Sequence, residues 1–241
     1  MPRERPSGSR KGLRDEQSAL EAVAREFSAA WQPRRGSAGA WLTLAGKRIA
    51  VDLATFRLRG ISPDDAPRLR LRFDKVATRV TEGLQAALAE AVPPAVTVVL
   101  TITAPIRLAS KTAAALEDRI RTLLGRQLPA RDVTDTIHGN AVRIRFLKHR
   151  RQRAPKFVGL VHNTGSDPAR LLEMTGALIA LIGAPRPPAK PARGRWLVLI
   201  TGGGISQLEA YRAIGSQLHL PAAFDKVLMV FADGRVGALA E

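Results

Sequence analysis

The chain reads as an α/β protein: a mixed, largely parallel sheet flanked by helices, ending in a half of βαβαβ type. Three observations predict this class. Strand-like and helix-like segments alternate along the 241 residues. Several strand segments, residues 196–200 (WLVLI) among them, are apolar on both faces, as buried parallel strands are. No internal repeat or heptad pattern points to a solenoid or coiled coil.

The elements follow in order. Residues 1–13, rich in Pro, Ser, Gly and Arg, read as a disordered basic tail. Leu20, Val23, Ala24, Phe27 and Trp31 recur at helical spacing and predict the first helix, broken at Gly36 to Gly39. Residues 41–44 and 48–53 predict a hairpin around Ala45, Gly46 and Lys47. A turn-rich loop at 60–67 leads into a strand at 69–73. Val76, Val80, Leu84 and Leu88 predict a second helix, closed by Pro93 and Pro94. Residues 96–102 are β-branched and predict a buried strand. Ser110 is the expected N-cap of a third helix, with Leu116, Ile120, Leu123 and Leu124 inside and Gly125 at its end.

A hairpin is expected at 135–147 around a Gly139-Asn140 turn, then a strand at 157–161. Asp167 is the expected cap of a helix with Pro168 at its first position and Leu171, Leu172, Thr175, Leu178, Ile179 and Ile182 on its inner face. A Pro-rich stretch at 184–195 reads as a long surface loop rather than a domain linker. A strand at 196–200, a helix from Ser206 and a strand at 227–231, turned back at Asp233-Gly234, complete the chain. The organisation predicted is a tail at 1–13, an N-terminal α/β region with a basic face at 14–156, and a C-terminal α/β region at 157–241. The last two share a domain if the Pro-rich stretch is a loop.

Charge is the strongest functional signal. Lys and Arg number 38 against 21 Asp and Glu, a formal net charge of +17. Residues 135–156 hold 7 basic groups and 1 acidic, about a third of the excess. A protein this far from neutrality repels itself unless a polyanion screens it. Arg68, Arg70 and Arg72 alternate along one predicted strand, and Arg143 and Arg145 along another, so each set shares a face. Lys148, Arg150, Arg151, Arg153 and Lys156 extend that face. Arginine's planar fork suits phosphate. These residues are the candidate nucleic-acid contacts, with DNA and RNA equally open and an acidic protein as the competing partner. Few aromatic residues are present, which argues for phosphate contact over base stacking. The expected function is non-catalytic nucleic-acid binding, or service as the accessory subunit of a larger assembly.

Other chemistry has weaker anchors. The chain has no cysteine, so thiolate metal sites, disulfides and thiol catalysis are excluded. That absence fits a reducing cytoplasm, the expected location. No apolar stretch follows the basic N-terminus and no apolar run reaches spanning length, so neither a secretory leader nor membrane insertion is expected. No cofactor or metal is expected. Residues 163–167 and the loop Thr201, Gly202, Gly203, Gly204, Ile205, Ser206 each follow a predicted strand, at what a parallel sheet would make one edge. The second ends in a capping box of Ser206 and Glu209, and its amides offer a candidate phosphate or nucleotide cradle. A tight turn that needs glycine is the plainer account.

The order helix, hairpin, strand, helix, strand over residues 14–103 resembles the PD-(D/E)XK nuclease core. The resemblance implies a metal-dependent nuclease using Glu21 or Glu26 with Asp52. The third strand departs from the pattern: Asp74 and Lys75 are adjacent, where an intervening residue is needed for both to face one metal. An inactivated nucleic-acid-binding version fits the resemblance better than an active enzyme. The histidines, His138, His149, His162 and His219, show no metal-ligand spacing. Neighbouring positive charge is expected to disfavour protonation of His149.

Overall fold

A computed structural model of the chain describes residues 10–34, 39–57, 75–126, 128–129, 131–149, 154–163, 167–186, 194–218 and 224–240. In chain order the elements are α1 (Arg10–Glu26), β1 (Ala30–Pro33), β2 (Gly39–Leu44), β3 (Lys47–Phe56), α2 (Lys75–Leu88), β4 (Val96–Thr103), α3 (Ala109–Leu124) and β5 (Val133–Ile137). Then come β6 (Asn140–Lys148), β7 (Phe157–His162), α4 (Pro168–Ile182), β8 (Arg195–Thr201), a 3-10 turn (Ile205–Gln207), α5 (Leu208–Gly215), β9 (Lys226–Val230) and β10 (Val236–Ala240). The fold is α/β, with mixed sheets and helices packed on them.

The strands among the described residues form two sheets, not one. The described residues of 1–57, 186–205 and 222–241 cluster into a first compact unit, and those of 58–185 and 206–221 into a second. The division expected at 156/157 is corrected, because β4 and β7, on either side of it, are parallel partners. The Pro-rich stretch carries the chain from the second unit back to the first, between Pro185 and Arg186. Three of the eight strand pairings among the described residues are parallel, and both sheets are mixed. The C-terminal βαβαβ alternation is also shared out: β7 belongs to one sheet, β8 and β9 to the other.

The first unit has the strand order β1-β2-β3-β8-β9-β10. The first three strands form an antiparallel meander, β3, β8 and β9 run parallel, and β10 turns back. The β2–β3 turn sets Ala45 at φ 47° and Gly46 at φ 75°, the left-handed pair that a two-residue hairpin turn requires. Helix α1 starts at Arg10, so residues 10–13, expected as tail, are its first turn. It ends before Ser28, which takes φ 49°, and Trp31 lies on β1 instead of the helical stripe. Ala19, Leu20 and Val23 pack on Leu42, Ile49, Val51, Trp196, Val198 and Leu228. Phe27 meets Trp196 edge-on, ring centres 4.8 Å apart.

The second unit has the order β5-β6-β4-β7. Helices α2 and α3 cover one face, where Val80, Leu84, Leu116 and Ile120 bury Val98, Leu100, Ile102, Val142 and Ile144. The alternate residues, Thr97, Val99 and Thr101 of β4 and Arg143, Arg145 and Leu147 of β6, therefore face the other way. Helix α4 covers that side: a methyl built on Gly176 would lie 3.7 Å from both Leu147 methyls. Asp167 caps α4 as expected, its Oδ1 accepting from Ala169 N–H at 2.9 Å, with Pro168 first in the helix. Helix α3 departs from expectation. Its N-cap is Leu108, at φ 47° and without a side-chain cap bond, and Ser110 falls inside the first turn. The β5–β6 turn is His138-Gly139, at φ 49° and 75°, one residue earlier than expected. Asn140 is then a buried strand residue whose amide bonds Arg107, Thr112 and Ile137.

Candidate nucleic-acid interface

The β5–β6 hairpin of the second unit places the described part of the predicted cationic set. Arg143 and Arg145 stand two apart on β6, on one face. Asp132, just before β5, lies across from them. Arg145 donates from Nε and Nη2 to Asp132 Oδ1 and Oδ2 at 2.6 and 2.9 Å, a two-pronged pair. Arg143 Nη1 is 4.0 Å from Asp132 Oδ2, and its Nε is buried without a hydrogen-bond partner. Arg131 is exposed beside them. Together with Thr134 and Phe146 these residues line an open pocket of about 590 Å³. Three arginines and one carboxylate line it.

Asp132 and Arg131 escaped the sequence reading. The register explains why. With the turn at His138-Gly139, Val133 pairs with Ile144, which puts Asp132 opposite Arg145. A turn at Gly139-Asn140 would have put Thr134 there instead.

The rest of the predicted set divides. Lys148 is exposed at the end of β6. Lys156 is tied down, its Nζ donating to the Ala89 carbonyl. Arg68, Arg70, Arg72, Arg150, Arg151 and Arg153 lie outside the described residues. His149 Nε2 is 2.9 Å from the Thr97 hydroxyl, and burial lowers its pKa. The cations expected to act on it, Arg150, Arg151 and Arg153, lie outside the described residues.

The glycine loop is closed on itself. Thr201 Oγ1 accepts from Gly203 N–H at 3.1 Å, and the Gly203 carbonyl accepts from Ala232 N–H at 3.2 Å. Gly202 and Gly204 flank that bond. The expected capping box at Ser206 does not frame α5, whose N-cap is Gln207 without a side-chain cap bond. Glu209 pairs with Arg212 instead, at 3.0 Å. The loops after β7 and β8, expected at one sheet edge, follow strands of different sheets. His162 is buried with Nδ1 2.9 Å from the Asn163 carbonyl oxygen. Burial lowers its pKa, opposed by that carbonyl and by Asp167.

In the first unit, Asp52 is the centre of an ion cluster. Only 2 % of it is exposed. Arg34 Nη2 donates to Oδ1 at 2.7 Å, and Arg195 donates from Nε and Nη2 to Oδ2 at 2.7 and 2.6 Å. Trp41 lies beneath Arg34 and Arg48, and Phe224 beneath Arg186 and Arg195. Burial lowers the Arg186 pKa, Asp52 raises it and Arg195 lowers it further. Glu21 and Glu26 are exposed, and Glu21 accepts from Gln17 at 2.9 Å. Among the described residues no group of three or more His, Asp or Glu is placed to hold a metal ion. The strand at 69–73 lies outside the described residues, and β4 is not in the sheet of the β2–β3 hairpin.

No helix among the described residues is long and apolar enough to cross a membrane. No family model matches the chain, and no curated protein or solved structure matches it.

Proposed function

We propose that this protein binds nucleic acid without cleaving it, through phosphate contacts in the β5–β6 pocket. The observation that carries this reading is the imbalance in that pocket. Arg131, Arg143 and Arg145 line it with the single carboxylate of Asp132, which Arg145 engages on both oxygens, and Arg143 Nε has no partner. A backbone phosphate supplies the missing acceptor. The net charge of +17 supplies the long-range attraction. Lys148 leads out of the pocket towards Arg150, Arg151 and Arg153 in the sequence. The nuclease and nucleotide readings draw less support. Both oxygens of Asp52 are engaged by arginine, and the Gly203 amide already has an acceptor.

The test is binding of labelled duplex DNA, single-stranded DNA and structured RNA across a salt series with Mg²⁺ present. Affinity is expected to fall with salt, with a log–log slope near −0.9 per neutralised phosphate on duplex DNA. Arg131→Ala with Arg143→Ala should weaken binding and make the slope shallower by about 2. Salt-independent binding, or none at low salt, sinks the phosphate mechanism. Cleavage would revive the nuclease.

A further inference from the structure

We propose that the β5–β6 pocket selects the end of a nucleic-acid strand, taking a terminal phosphomonoester in preference to the phosphodiesters within the chain. The inference rests on the nucleic-acid reading of that pocket and names the phosphate it prefers. The pocket's charge and its set of donors carry it.

Arg131, Arg143 and Arg145 line the pocket with one acid, Asp132. Arg145 donates to both oxygens of that carboxylate, at 2.6 and 2.9 Å, so the two charges cancel as an oriented pair. Arg131 and Arg143 remain, and three arginines less one carboxylate leave a net charge of +2 on the lining. A phosphodiester brings a single negative charge. A phosphomonoester brings about −1.5 to −2 at neutral pH, its second pKa lying near 6. The monoester balances the lining, and the diester leaves about one positive charge over. Arg143 is largely buried, where an unbalanced charge is most costly.

The donors point the same way. Arg143 Nε is buried and has no acceptor. Thr134 on β5 is the direct cross-strand partner of Arg143, so the two side chains share a face with Cβ atoms about 5 Å apart. The Thr134 hydroxyl therefore stands beside that guanidinium, and Thr134 and Arg131 are both exposed and line the same pocket. Three side chains offer donors. A terminal phosphate presents three free oxygens to them, where a phosphodiester presents two. Access fits as well. Strand β5 is the edge of its sheet, and a volume of about 590 Å³ is that of a small-ligand pocket. A terminal phosphate has a nucleotide on one side only and can enter it. An internal phosphate still reaches Arg143 but is tied on both sides.

The experiment measures the affinity of the full chain for one internally labelled single-stranded oligonucleotide in three forms: 5′-phosphorylated, 3′-phosphorylated, and hydroxyl at both ends. A phosphorylated form is expected to bind about 10-fold tighter than the hydroxyl form at low salt, and the tighter arm shows which end is read. Arg131→Met and Thr134→Val should each cut that preference by about fivefold. Both positions are exposed, which keeps the variants folded. Equal affinity for all three forms overturns the inference and leaves the nucleic-acid reading standing. Absence of binding by all three overturns both. An undiminished preference in either variant overturns the assignment to this pocket.

Discussion

Asp52 shows how one buried carboxylate can organise a set of cations. Its two oxygens are held by Arg34 and Arg195, so removing it leaves two guanidinium groups in a low-dielectric site. Asp52→Ala is expected to destabilise the first unit by about 3–5 kcal/mol, measured by urea unfolding. A catalytic carboxylate would instead be lost at little cost in stability. Asp132 has the opposite role. It occupies Arg145 as a phosphate would, and Asp132→Asn is expected to tighten nucleic-acid binding, with unchanged affinity the outcome against it. The buried histidines predict a pH effect. Burial lowers His162 and His149 from the ordinary 6.5, so the unfolded chain binds protons that the folded chain refuses. Their contribution is complete above about 6.5 and is lost as pH falls from there to the lowered folded values. Melting temperature should therefore fall as pH drops below about 6.5. The His162→Gln variant should flatten that slope.

At the scale of elements, β7 is the instructive strand. It is the edge of its sheet, and an open edge invites pairing with another chain. Gln217 closes it like a short extra strand, accepting from Gly159 N–H at 2.8 Å and donating to the Gly159 carbonyl. Gly159 also lets α2 approach, since any Cβ there would lie 2.6 Å from the Thr81 side chain. Gly159→Ala should cost about 1–3 kcal/mol by overpacking, seen as a lower urea midpoint. The β5–β6 hairpin teaches how far a small error travels. The alternation of Arg143 and Arg145 was legible from side-chain period alone. Misplacing the turn by one residue changed the partner of Arg145 from Asp132 to Thr134, and with it the electrostatics of the site. His138 and Gly139 are both left-handed, and a sequence reading favours Gly-Asn there because histidine takes that conformation less often.

Across the whole molecule, three chain segments build the first unit and two build the second. Each unit has its own apolar core. Trp31, Trp41 and Trp196 are the chain's three tryptophans, and all belong to the first unit. Tryptophan fluorescence therefore reports that unit, while far-ultraviolet circular dichroism reports both. Urea unfolding followed by the two probes is expected to give non-coincident curves, with coincident curves the sign that the units unfold together. A chain cut after Pro185 should lose native tryptophan emission, because β3 would lack its parallel partner β8.

The sequence by itself determined the local and the summed properties. The α/β class follows from periodicity. The buried faces of α2, α4 and β4 follow from apolar spacing, the α4 cap from Asp167-Pro168, and the net charge of +17 from composition. These depend on residues near in the chain or on composition alone. The tertiary structure decided what depends on distant residues meeting. Both β7 and β8 are apolar strands followed by helices, and nothing in either says which sheet it joins. That is settled by β4 and β3, more than fifty residues before each, whose open edges they pair. The same holds for the charges. The sequence counts the arginines, but only the folded chain shows that Asp52 and Asp132 neutralise some of them and that Arg143 and Arg170 are left with buried donors. Ion pairing acts over a few ångströms, and that proximity is a property of the fold.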